Sequence, residues 1–212
     1  MFEDKVLVFD LDGTLYADVA VIGEQESARI LHFFMRKLRL NREEAEDFII
    51  KIRSKHYYDV DAFGHELPLS KKEFLDYICD VDVSCLPINE KLNELLKKMS
   101  QTKYILTDST RGHVKSVLNA IGVEEKHFED VFDADSMNYE FKYTGKAYCR
   151  FFEKHRLVPK NCVMFEDNKI NIKMAKQAGM ITVLIGNKEK HCPEADYEFK
   201  DINLALEYFR KI

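Results

Sequence analysis

Two acids stand two positions apart in Asp10-Leu11-Asp12-Gly13-Thr14, directly after the apolar run Lys5 to Phe9 (KVLVF). In an extended segment, residues i and i+2 point to the same side, so the two carboxylates share one face. Gly13 lets the chain turn sharply just behind them. Asp-Gly is also a common turn dipeptide, but an ordinary turn does not need an acidic pair at the tip of a buried strand. The pattern points to a metal or phosphoryl site.

Three later positions offer matching chemistry. Thr107 closes the run Lys103 to Leu106 and precedes Asp108-Ser109-Thr110. A hydroxyl at a strand's carboxyl end, with free backbone N–H groups behind it, can take phosphate oxygens, although a structural threonine fits the same pattern. Lys142 lies in Phe141-Lys142-Tyr143-Thr144-Gly145-Lys146, ahead of a helical stretch; taken alone it reads as solvated surface. Glu166-Asp167-Asn168 follows the apolar run Cys162 to Phe165. Acids closing a buried strand suit a hard cation, while Asp167 or Asn168 could instead cap a helix.

The elements that must position these residues are legible in outline. Short apolar runs at Lys5 to Phe9, Tyr104 to Thr107, Val131 to Phe132, Cys162 to Phe165 and Ile181 to Ile185 read as buried strands. Between the later ones, Arg111 to Ile121, Lys146 to His155 (behind a Thr144 cap) and Ile170 to Ala178 carry helical periodicity, two of them ending before Gly122 and Gly179. Strand alternating with helix predicts a parallel sheet covered on both faces, with ligands beyond the carboxyl ends of the strands.

The stretch 19–86 breaks that rhythm. It predicts a helix at Glu24 to Leu38, a second opened by the capping box Asn41-Arg42-Glu43-Glu44, and a third opened by Ser70-Lys71-Lys72-Glu73. Residues 1–18 and 87–212 are therefore expected to form a catalytic core, and 19–86 an inserted helical cap. Tyr57-Tyr58 and Phe33-Phe34 are read as helical packing residues.

Composition restricts the partners. The chain of 212 residues has 32 Lys and Arg against 37 Asp and Glu, a formal charge of −5. With no basic block, neither a nucleic acid polymer nor an anionic membrane is expected as partner. Five cysteines without CxxC spacing disfavour a disulfide framework or zinc site and suit a reducing compartment. The segment MFEDKVLVFD has neither the form of a signal peptide nor the length of a membrane span. The expectation is a cytoplasmic monomer or homodimer.

In chain order the set is strand–DxDGT, strand–Thr, Lys before a helix, and strand–Glu-Asp. This resembles the haloacid dehalogenase superfamily, whose four motifs occur in that order at the ends of parallel strands, and the likeness covers nearly the whole chain. The resemblance implies an α/β fold, a Rossmann-like parallel sheet with a small helical cap. It implies Asp10 as nucleophile and Asp12 as acid/base, with phosphate held by Thr107 and Lys142, Asp108 adjoining. Mg²⁺ would be held by Asp10, the carbonyl of Asp12 and Asp167, with Glu166 and Asn171 supporting. The dehalogenating branch lacks an acid at position 12, so phosphate ester hydrolysis is expected instead.

A closer likeness is to pyrimidine 5′-nucleotidase-like phosphatases. It rests on Asp-Leu-Asp-Gly-Thr-Leu-Tyr, on Thr-Asp-Ser-Thr-Arg-Gly-His113, and on Phe165-Glu166-Asp167-Asn168 with Asn171. Phe63-Gly64-His65-Glu66-Leu67 resembles the cap loop that approaches the base in those enzymes, making His65 and Glu66 specificity candidates. The implied substrate is a small phosphorylated metabolite, with a pyrimidine nucleoside 5′-monophosphate foremost. A phosphosugar mutase, a sugar-phosphate phosphatase and a catalytically silent binding protein are the alternatives. Two departures stand out: Tyr143 follows the motif lysine where Pro is usual, leaving Lys146 as a substitute, and Asp108 occupies a position often held by Asn.

Overall fold

The computed structural model describes residues 2–17, 20–64, 66–186 and 191–211. By contact density the chain divides into two compact units: Met1–Val19 with Val83–Ile212, and Ala20–Asp82.

The first unit is built on six parallel strands: β1 (Val6–Phe9), β2 (Lys103–Leu106), β3 (Asp130–Phe132), β4 (Cys162–Glu166), β5 (Ile181–Ile185) and β6 (Tyr197–Phe199). Their order across the sheet is β3-β2-β1-β4-β5-β6. Leu7, Val8, Phe9, Val163, Met164 and Phe165 are wholly buried. Continuous apolar runs of this kind mark strands covered on both faces. Phe9 pairs in register with Phe165, and their rings stack with centroids 4.7 Å apart. That register brings the residues after β1 beside the end of β4.

The order reverses between β1 and β4. Right-handed crossovers to β2 and β3 on one side, and to β5 and β6 on the other, place their helices on opposite faces and open a crevice at the carboxyl ends of β1 and β4. The sheet-bearing unit's helices in chain order are Glu90–Lys98, Arg111–Ala120, Lys146–His155, Lys169–Gln177 and Ile202–Phe209. Edge strand β6 and the first and last of these helices are additions to the elements expected from sequence.

The second unit holds three α-helices, Ala20–Leu38, Arg42–Arg53 and Lys71–Ile78. Its interior is a knot of rings: Phe33, Phe34, Phe63 and Phe74 pack with centroids 5.0–6.4 Å apart. The box at Asn41 forms in both directions, Glu44 N–H donating to Asn41 and Asn41 N–H to the Glu44 carboxylate. The expected box at Ser70 forms by half. Ser70 accepts from Glu73 N–H, while the Glu73 side chain pairs with Lys37.

Tyr57 and Tyr58 lie outside any helix, contrary to the periodic reading. The second helix stops at Arg53, whose guanidinium forks onto buried Asp59 at 2.7 and 2.8 Å and so draws the chain into a turn. Tyr57 is exposed. No helix among the described residues is long and apolar enough to cross a membrane.

Candidate active site

Asp10 follows β1 directly, and its N–H still donates to Phe165 O, holding it in the line of the sheet. The residue is only 5% exposed. Thr14 Oγ1 donates to Asp10 Oδ2 at 3.1 Å, and Lys142 Nζ donates to Asp10 Oδ1. Lys142, itself 2% exposed, also donates to Glu166 Oε2 at 2.7 Å. The structure thus brings Lys142 to the strand ends. Lys146 lies on the surface, bonded to Glu140.

Glu166 is fully engaged. Its Oε1 accepts from the N–H groups of Asp167 and Asn168 at 3.1 and 3.0 Å, and its Oε2 also accepts from Asn171 Nδ2 at 3.3 Å. Asn171 is buried, and its carbonyl receives the Tyr148 hydroxyl. Asn168 caps the following helix by accepting from Ile170 N–H. The capping role open to Asp167 or Asn168 therefore falls to Asn168.

Asp10, Glu166 and Asp167 offer carboxylate oxygens that all lie within 4.8 Å of one another. Gly13 makes this approach possible. It has φ +84°, and a Cβ there would stand 2.6 Å from Asp167 Cγ, inside any real contact. Glycine is needed both for the left-handed turn and for the space.

Asp10 and Glu166 share the Lys142 ammonium, with the Asp167 carboxylate beside them. Burial, reinforced by the Glu166 charge, pushes the Asp10 carboxyl well above the usual range, with Lys142 opposing. Burial also raises Glu166. For Lys142, burial works downward, but Asp10 and Glu166 outweigh it and hold the ammonium firmly charged. Three clustered carboxylates are hard oxygen donors and fit a divalent cation such as Mg²⁺.

Asp12 lies two residues on in a different environment. Its side chain is 30% exposed. Tyr16 OH donates to Oδ1 at 2.5 Å, Ser109 Oγ donates to Oδ2 at 2.7 Å, and His113 Nε2 stands 2.7 Å from Oδ1. Burial alone would raise this carboxyl, but the His113, Tyr16 and Ser109 contacts outweigh it and hold it below the usual range. Sequence reasoning missed all three partners as chemistry. Tyr16 and His113 lay within quoted motifs, but nothing in their spacing joins them to Asp12.

Thr107 is buried at the end of β2, and its Oγ1 accepts from Ser109 N–H at 3.1 Å. Asp108 turns Oδ1 to the main-chain N–H of Lys142 at 3.0 Å, so this unusual acid ties the lysine segment to the β2 loop. Glu66 belongs to the helical unit, where it accepts from His56 Nε2 at 2.8 Å. His65 lies outside the described residues.

The model of the haloacid dehalogenase-like hydrolase family matches residues 5–179. Among curated proteins, the chain is 25% identical to Phosphate metabolism protein 8 of Saccharomyces cerevisiae over 95% of its own length, spanning 65% of that protein. It is 28% identical to a phosphoglycolate phosphatase of Vibrio vulnificus, over 84% of this chain and 81% of that one. Among solved structures, a phosphatase of the same superfamily from Thermococcus onnurineus superposes with a TM-score of 0.63 at 24% identity, covering 98% and 96% of the two chains; this likeness concerns the fold. The chain belongs to the haloacid dehalogenase-like hydrolases.

Proposed function

We propose that this hydrolase is a Mg²⁺-dependent phosphomonoesterase that works through an aspartyl-phosphate on Asp10. The observation that carries this reading is the gathering of the Asp10, Glu166 and Asp167 carboxylates where β1 and β4 end, with Lys142 paired to the first two.

Asp10, Asp167 and the main-chain carbonyl of Asp12 would hold Mg²⁺, which supplies neutralisation of the ester's charge and keeps Asp10 ionised. Asp10 then attacks phosphorus, and the bond to the leaving oxygen breaks. A carboxylate needs no base to become a nucleophile. Lys142 and the Thr107 loop hold the remaining phosphoryl oxygens as charge shifts onto them. Asp12 delivers a proton to the leaving oxygen, then takes one from the water that hydrolyses the acyl phosphate. Glu166 and Asn171 position Lys142 and the Asp167 loop. In this reading the helical unit is a cap that sets specificity, with Glu66 and His65 among its contributors.

The substrate is a small phosphorylated metabolite. A pyrimidine nucleoside 5′-monophosphate leads, on the likeness of the Asp10 and Thr107 motifs to nucleotidase-like members. Phosphoglycolate is the natural competitor, given the named relative.

Phosphate release from UMP, CMP, sugar phosphates, FMN and phosphoglycolate tests both levels. The expected result is Mg²⁺-dependent turnover abolished by chelation, with the nucleotides fastest. Chelator-resistant turnover would overturn the metal assignment, and a preference for phosphoglycolate would overturn the nucleotide assignment.

A further inference from the structure

His113 is a deeply buried titratable group beside Asp12 that the chemistry above does not use. It is the third residue of the helix Arg111–Ala120, which is capped by Thr110. Its side chain is 1% exposed, against 30% for Asp12. Facing a carboxylate oxygen at 2.7 Å, Nε2 is the nitrogen that carries the hydrogen.

The three donors on Asp12 are not equivalent. Tyr16 OH and His113 Nε2 both meet Oδ1, whereas among the described residues Oδ2 receives the Ser109 hydroxyl alone. Tyr16 is four residues from Asp12 and belongs to the same loop. The Ser109 hydroxyl meets the other oxygen, Oδ2. His113 presents its donor on a rigid ring carried by the helix after β2. Of the two described partners of Oδ1, it is the one that ties this oxygen to an element outside the Asp12 loop.

We propose that His113 is a positioning residue that clamps Oδ1 of Asp12, leaving Oδ2 as the oxygen that exchanges protons with the leaving group and with water. An acid/base group must be held within roughly 0.5 Å of its working geometry, and a partly exposed aspartate has no such restraint of its own. The inference rests on the proposed phosphomonoesterase reading, in which Asp12 serves the leaving group. His113 touches no reacting atom in this arrangement and acts through Asp12.

The test uses the dependence on leaving group. An ester of p-nitrophenol departs with little help, whereas phenyl and alkyl phosphates need protonation. The value of kcat/KM reports the steps up to formation of the aspartyl-phosphate. His113→Ala should lower kcat/KM for phenyl and alkyl phosphates by about tenfold to hundredfold, and for p-nitrophenyl phosphate by about threefold or less, with KM changed little. His113→Gln, which restores an N–H donor, should recover much of the loss. In an Asp12→Asn background, His113→Ala should add nothing further to the leaving-group dependence.

A loss equal across all leaving groups, in variants whose circular dichroism and melting match the parent, would overturn the positioning role. If both variants failed to fold, the wild-type profile and that of Asp12→Asn would still decide. An Asp12→Asn loss that ignores leaving group overturns the acid role of Asp12, and with it this inference. A wild-type enzyme that releases phosphate from no ester would overturn the proposed function itself.

Discussion

Asp10 and Asp12 are separated by one residue and face opposite electrostatic surroundings. Asp10 is buried against Glu166 and Asp167 with Lys142 as its cation, and its carboxyl is pushed upward. Asp12 is ringed by hydroxyl and imidazole donors and pushed downward. In the proposed reaction Asp10 must be the anion and Asp12 must carry the proton first, which is the reverse order. The difference teaches where the cation is needed. In that proposal a divalent ion held by Asp10 would offset its burial and favour the ionised nucleophile, while the Asp12 cage would serve the base form used in the hydrolytic step. Separating the environments of paired acids is a general way to divide their roles.

The largest effect should come from removing the nucleophile. Asp10→Asn should cut turnover by at least about 10⁴-fold and leave the metal-free protein as stable as the parent or more so, because it deletes a strained buried charge. A variant that kept near-normal kcat would remove Asp10 from the chemistry. Next is the cation of the pocket. Lys142→Met leaves two buried carboxylates unpaired and should cost about 3–5 kcal/mol in the metal-free protein, read by urea denaturation. A cost near zero would mean that Lys142 does not balance them.

Gly13 sharpens the comparison at the metal. The parent should gain about 2.7 kcal/mol at a hundredfold excess of Mg²⁺ over its Kd, seen as a rise of several degrees in Tm. Gly13→Ala should cost about 1–2 kcal/mol for its left-handed backbone and blunt that rise, since its Cβ would collide with Asp167. An undiminished rise would show that the close approach is not needed for binding.

The smallest effect concerns Asp12 and pH. Its folded-state carboxyl lies below its unfolded value, so its stabilising contribution is complete above the unfolded pKa of about 3.9 and disappears as pH falls through the folded one. Acid unfolding curves of Asp12→Asn should lack that component. Identical acid dependence in parent and variant would contradict the downward shift.

The sequence carried the strands that bear chemistry because their residues are uniformly apolar and end in polar residues of distinctive type. Asp10 and Glu166-Asp167 could be marked at their own positions, whereas Thr107 and Lys142 gained meaning only as members of the ordered set. The cage around Asp12 could not be marked. Tyr16, Ser109 and His113 converge only once β1 and β2 pair and the helix after Ser109 turns back, and no local pattern encodes that meeting. Edge strand β6 escaped for a related reason: Tyr-Glu-Phe is short and half polar, as an edge tolerates. At Ser70 a local signal was overridden, because Lys37 competes for the Glu73 carboxylate.

The most direct test of the central claim is to trap the phosphorylated residue. The enzyme, mixed with Mg²⁺ and a turned-over ester, is quenched and reduced with borohydride, which converts an acyl phosphate to an alcohol. Peptide mass spectrometry should find homoserine in place of Asp10, dependent on substrate and absent from Asp10→Asn. Homoserine at any other carboxylate, or brisk turnover with no reduced residue at position 10, would contradict the account.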